Sequence, residues 1–137
     1  MIYITRREQF NAAHKLFRPE WSNEENVEVF GKCSNPNWHG HNYELFVTIK
    51  GEINPDTGFV IDLKILKQII HANVTEKLDH KNVNLDVDFM EGKMASTEVL
   101  AIEIFKQLKP HIQAHGADLF KIKLCETENN FVEYFGD

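Results

Sequence analysis

His39-Gly40-His41-Asn42-Tyr43-Glu44-Leu45-Phe46-Val47-Thr48-Ile49-Lys50 is the stretch that decides the fold. Side chains alternate along a strand, so His39, His41, Tyr43, Leu45, Val47 and Ile49 share one face. Asn42, Glu44, Phe46 and Thr48 take the other. The pattern predicts a strand with one buried face. At its start that face carries two imidazoles where aliphatic groups would be expected. Residues two apart on a strand have Cα atoms roughly 6.5 Å apart, so both rings can reach one ion at about 2.0 Å. Gly40 leaves the opposite face bare and permits close backbone approach.

Upstream, Ile2 to Leu16 reads as a second extended segment, with Phe10, Ala12 and His14 on one face. His14 is the natural third ligand, since it too sits on a strand face otherwise lined by apolar groups. Three histidines leave one zinc position open, as in a catalytic rather than a structural site. Alternation alone also suits histidines of a core or a surface.

Further out, Arg18 to Pro36 is polar and reads as a long excursion. Asn54-Pro55-Asp56-Thr57-Gly58 is a turn. Asp62 caps a predicted helix running to about Thr75, with Leu63, Leu66, Ile70 and Val74 as its apolar stripe. Leu78 to Asn82 reads as a loop. A second helix is expected from Ser96 or Thr97 to Leu108, stopped by Pro110. Strands follow near Leu119 to Glu126 and Phe131 to Phe135. The order strand-strand-helix-helix-strand-strand predicts an α+β fold: a four-stranded antiparallel sheet with two helices on one side.

At 137 residues the chain fits a single domain, 1–137. A net charge of -6 argues against general binding to nucleic acid or an anionic membrane, though not against a small anionic ligand met by a local basic cluster. No apolar run approaches the roughly 20 residues that span a bilayer, and the opening Met-Ile-Tyr-Ile-Thr-Arg-Arg is too polar for a secretory segment. With only Cys33 and Cys125, a disulfide framework is not expected, and free thiols suit a reducing cytosol. Cytoplasm is the expected location.

Other residues carry chemistry of their own. Cys33 lies six positions before His39, where Lys32 and a nearby zinc would favour its thiolate. It would alternatively close the metal site as a fourth ligand, or be an inert small hydrophobe. Cys125 reads as structural. Asp79-His80 is an acid beside an imidazole, a pair able to act as general acid and base near neutral pH. On the last long strand Phe120, Ile122 and Leu124 form a face that Glu126 extends. A carboxylate there needs a partner such as an amidine-like donor edge, unless the strand has ended and solvent takes it. His71, His111 and His115 are expected to face solvent.

Taken together these residues resemble the 6-pyruvoyl-tetrahydropterin synthase family, which includes bacterial 6-carboxytetrahydropterin synthases. The resemblance runs through Phe10 to His14, through Phe30 to Tyr43, and through Gly58 to Leu63. It continues in Leu78 to Asn82, Ser96-Thr97-Glu98 and Cys125-Glu126-Thr127. It implies the tunnelling fold, zinc on His14, His39 and His41, and a catalytic set of Cys33, Asp79 and His80. It further implies that Glu126 holds the pterin's amino-pyrimidine edge, with Thr97 and Glu98 nearby. Trimers stacked into a homohexamer, with active sites between subunits, would cover the edges of a four-stranded sheet. Val99 stands where the family usually has asparagine.

The substrate implied is 7,8-dihydroneopterin triphosphate, and no nicotinamide or flavin fingerprint is present. Two products fit: 6-carboxy-tetrahydropterin, with loss of triphosphate and acetaldehyde, or 6-pyruvoyl-tetrahydropterin. Asn35-Pro36-Asn37 and the full-length match resemble the pyruvoyl branch. The short N-terminus resembles bacterial members, and on that ground the 6-carboxy reaction of queuosine biosynthesis is the expected one. A reading of another class is a non-catalytic, zinc-stabilised pterin- or purine-binding module.

Overall fold

The computed structural model describes residues 1–137. Strand β1 (Ile2–His14) pairs antiparallel with β2 (His39–Gly51) along its whole length, from Ile2 opposite Gly51 to His14 opposite His39. The alternating pattern sets this register, because a slip of one residue would turn Tyr43, Leu45, Val47 and Ile49 into solvent. All four are fully buried. Burial of each of the three aliphatic ones contributes about 1.5–3 kcal/mol.

Strand β4 (Asp118–Cys125) adds to the other side of β2, and β5 (Phe131–Tyr134) to β4. The sheet has five strands, not four. The fifth is β3 (Lys81–Asn82), two residues lying parallel to Ala12 and Ala13 at the outer edge of β1. The sheet order is β3-β1-β2-β4-β5. So short a strand carries no readable alternation. The loop expected there is pinned as a strand by Asn11 C=O and Ala13 C=O, which accept from His80 N–H and Val83 N–H at 2.6 and 2.8 Å.

The helices differ from expectation in three places. Helix α1 (Asn23–Phe30) occupies the polar excursion, capped by Ser22 and followed by a tight turn at Gly31–Ser34. Its anchor is buried Asn26, whose amide bonds the backbone of Arg18 and Ser22 in place of an apolar stripe. Helix α2 (Leu63–Ile70) is capped by Asp62 and continues through a widened turn, His71–Thr75, into α3 (Glu76–Leu78). Its buried stripe is Leu66, Ile69, Ile70 and Val74, while Leu63 is exposed. Helix α4 (Thr97–Gln113) runs through Pro110 instead of stopping before it. Pro110 is exposed, so the carbonyl it leaves unpaired is open to water, and buried Ile112 holds the extra turn.

In β4 the register shifts opposite Thr48 and Ile49, leaving Phe120 as an extra residue. The bulge puts Leu119, not Phe120, on the inner face with Ile122 and Leu124. Phe120 packs on the outer face against Tyr3 and Phe135. Beyond the bulge the alternation resumes, so Glu126 still follows Leu124 on the inner face.

Candidate metal centre and active site

The end of the inner face holds the histidines. His14 and His39 are opposite one another in register, and His41 is two residues on. One ring nitrogen from each lies within 4.8 Å of the others, and this is the metal-ligand cluster of the molecule. Two nitrogens bound to one tetrahedral zinc lie about 3.4 Å apart, so the rings must draw together by up to about 1.4 Å to load the site. Cys33 is not in the cluster, which removes the reading of it as a fourth ligand.

His14 is 2% exposed, and its Nδ1 donates to the carbonyl of Ala95 at 2.7 Å. A carbonyl only accepts, so this bond fixes the tautomer and turns Nε2 towards the cluster. His14 Nε2, His39 Nδ1 and His41 Nε2 are all buried without a hydrogen bond. Orphaned polar atoms are costly in an interior, and three facing a common point fit a divalent cation as the missing partner. Burial holds all three imidazoles below their ordinary pKa. They are therefore neutral at pH 7, the form that binds metal.

Glu126 stands beside this cluster. One of its oxygens accepts from the hydroxyl of Thr97, a buried residue at the start of α4, and the other lies 3.2 Å from His41 Nε2. The latter approach lacks hydrogen-bond geometry, and with His41 neutral it is a close contact rather than an ion pair. The strand has ended at Cys125, yet Glu126 stays partly covered and aimed inward. Glu98 is exposed and lines, with Thr97, Glu126 and Asn130, a cleft of about 310 Å³. Val99 turns inward against the core. The largest cleft, about 570 Å³, opens where β4 stops pairing with β2 and is lined by His41, Asn42, Glu126 and Phe131.

Cys33 sits half-buried in the turn after α1, its carbonyl accepting from Leu16 N–H at 2.7 Å. The sulfur-bearing turn is thus tied to the chain two residues past His14. Cys125 faces outward at the edge of the largest cleft, with burial pushing its thiol pKa up. Asp79 and His80 lie beyond the edge of β1. Asp79 Oδ1 accepts from Asn11 N–H at 2.8 Å, and Oδ2 lies 3.0 Å from His80 Nδ1. His80 adopts φ 60°, and its side chain is 83% exposed. The pair is formed, but it is joined to Asn11 on the outer face rather than to the histidine cluster. His71 is half-buried and 3.1 Å from Glu8, not free in solvent, whereas His111 and His115 are exposed.

Sequence reasoning missed the Ala95 carbonyl and buried Tyr43, whose ring lies 5.6 Å from that of His41. A loop carbonyl leaves no trace in residue types, and Tyr43 read simply as core.

Fold and centre together define an α+β protein with three imidazoles placed to take a divalent cation beside an inward-facing carboxylate. Residues 3–137 match the family described as 6-pyruvoyl tetrahydropterin synthase. The chain is 42% identical over 134 residues to the 6-pyruvoyl tetrahydrobiopterin synthase of Homo sapiens, covering 98% of this chain and 91% of that one. It is 30% identical over 112 residues to the 6-carboxy-5,6,7,8-tetrahydropterin synthase of Bacillus subtilis, covering 78% and 73%. The structure of Caenorhabditis elegans 6-pyruvoyl tetrahydropterin synthase superposes with a TM-score of 0.91 at 38% identity, over 99% of this chain and 96% of that one.

The chain belongs to the 6-pyruvoyl tetrahydropterin synthase family and is an enzyme, a pterin synthase. The match to pyruvoyl enzymes is higher and longer than that to the carboxy enzyme, so the expected 6-carboxy product gives way to its alternative. No helix is long and apolar enough to cross a membrane.

Proposed function

We propose that the protein converts 7,8-dihydroneopterin triphosphate to 6-pyruvoyl-tetrahydropterin, releasing triphosphate, with residues 1–137 acting as one catalytic domain. The observation that carries this reading is the set of three unpartnered imidazole nitrogens beside a carboxylate fixed by Thr97. The product branch rests on the 42% identity to the human pyruvoyl enzyme against 30% to the Bacillus carboxy enzyme.

His14, His39 and His41 hold the metal in this reading. A zinc ion bound there would make the C–H and O–H protons of the neighbouring side-chain carbinols more acidic. Glu126 accepts N–H bonds from the amino-pyrimidine edge, with the Thr97 hydroxyl steadying its second oxygen. Cys33 and His80, the latter oriented by Asp79, take and return protons of the side chain. Triphosphate leaves with the electrons of its C–O bond. The side chain is then oxidised by two electrons that the ring takes up, so no external redox partner is needed.

Because His80 faces away from the cluster, the Asp79–His80 pair serves the site of a neighbouring subunit in a hexamer. Mass spectrometry of the product formed from 7,8-dihydroneopterin triphosphate tests the whole reading. The expected result is the 6-pyruvoyl product with no acetaldehyde. The 6-carboxy product with acetaldehyde would restore the other branch, and no turnover by the zinc-loaded protein would leave a binding module.

A further inference from the structure

Two contacts of the site come from one short segment of chain. The carbonyl of Ala95 holds the His14 ring, and the hydroxyl of Thr97, two residues on, holds Glu126. The segment has little regular support of its own. No backbone N–H from Met94 to Ser96 donates to another backbone group, and Gly92 turns the chain just ahead of it at φ 75°. The Ser96 hydroxyl accepts from Val99 N–H at 3.2 Å, which ties the segment forward to the first turn of α4.

Its other tie is an ion pair. Lys93 Nζ donates to Glu103, which lies inside α4. Glu103 is 4% exposed, the one carboxylate buried in this chain. Burial pushes its carboxyl up, but the ammonium groups of Lys93 and Lys106 outweigh this and hold it below the ordinary range, so it is ionised at pH 7. Lys106 lies 3.2 Å from the second oxygen, but it belongs to the same helix. Only Lys93 links the carboxylate to the loop.

Such a pair is a poor device for stability. Desolvating both charges offsets most of their attraction, and apolar groups of similar volume often do as well or better. What an ion pair does provide is a fixed geometry, because the ammonium must meet the carboxylate at one place. Here that place sets where Lys93 lies, and the Ala95 carbonyl is two residues further along the chain. A carbonyl that orients a metal-binding imidazole governs metal affinity by about 10- to 100-fold.

We propose that the Lys93–Glu103 ion pair is a positioning device: it seats the Ala95 carbonyl on His14 and so tunes the affinity of the metal centre. This rests on His14, His39 and His41 being the metal ligands, as in the function proposed above. The test measures the zinc Kd of the metal-free chain, by competition with a chelator, together with its urea midpoint. In Lys93→Met the zinc Kd should rise about 10-fold, the low end of that range because the tie acts through two residues. Lys93→Arg should restore it. Lys106→Met breaks only the contact that lies within α4 and should bind zinc as the wild type does. The double variant Lys93→Met/Glu103→Leu leaves no buried charge unpaired. It should match or exceed the wild-type urea midpoint, yet bind zinc as weakly as Lys93→Met.

An unchanged zinc Kd in Lys93→Met overturns the proposal, as does an equal loss in Lys106→Met. A marked fall in the urea midpoint of the double variant also overturns it, since the pair would then be holding the fold. Wild-type protein that takes up no zinc sinks the metal centre and this inference with it, and only that outcome reaches back to the function.

Discussion

The histidine cluster and the Asp79–His80 pair serve the same proposed chemistry, yet one is sealed inside a single chain and the other faces out from its edge. His14 is 2% exposed, and its ring is locked by a buried carbonyl. The His80 side chain is 83% exposed, on a backbone in the left-handed region. The cluster derives its order from strand register: once Tyr43 and Leu45 are buried, His39 and His41 have nowhere else to point. The dyad derives its order from an edge, through the bonds of Asp79 and His80 to Asn11. On the proposed reading, a site half of which is complete within one chain and half presented outward would be divided between subunits.

The largest effect is expected on the complete half. His41→Ala removes one of three metal donors, so zinc content should fall steeply and turnover by at least about 10³-fold, as when one member of an interdependent set is lost. Metal analysis beside turnover checks it. A variant that kept both zinc and activity would show that the imidazoles are not the ligands.

A smaller but more discriminating effect belongs to the outward half. His80→Ala should keep its zinc and lose about 10²- to 10⁴-fold in kcat, the range for a general acid or base. Alone, each variant should stay at its reduced turnover. Co-assembled from both chains, mixed oligomers should regain measurable turnover, because some sites then combine an intact cluster with an intact dyad. Mixed oligomers as inactive as their parents would place both halves in one chain and erase the contrast.

The same contrast governs what could be read from the sequence. The pairing of β1 with β2 was legible, since alternation with period two over thirteen residues admits one inward face. The three imidazoles were legible for that reason. Helix α1 was not, because polar Asn26 holds it and no apolar stripe marks it. Strand β3 escaped because two residues have no periodicity. The inner face of β4 was read one residue out of step before its bulge, with Phe120 standing in for Leu119. What escaped was set by tertiary partners rather than by local pattern.

The smallest expected effect separates what Asp79 does for catalysis from what it does for folding. The Asn11 N–H bond holds its carboxyl below the ordinary carboxylate range; burial opposes this, and His80 adds to it. A carboxylate with a depressed pKa in the folded state contributes stability above its unfolded pKa, about 3.9, and loses it as pH falls through the folded value. Asp79 is nearly half exposed, so solvent screening keeps the contribution under about 1 kcal/mol. Asp79→Asn retains an oxygen for Asn11 N–H and should lower the denaturant midpoint only slightly at pH 7. That deficit should shrink below about pH 4 and vanish at lower pH, where the wild-type carboxyl is protonated too. Its kcat should fall by orders of magnitude regardless, because an amide cannot stabilise a charged His80. Urea titrations at pH 7 and pH 3 set beside turnover would reveal a structural residue if the stability loss were large and pH-independent, for then the edge would be holding the fold and not presenting a base to its neighbour.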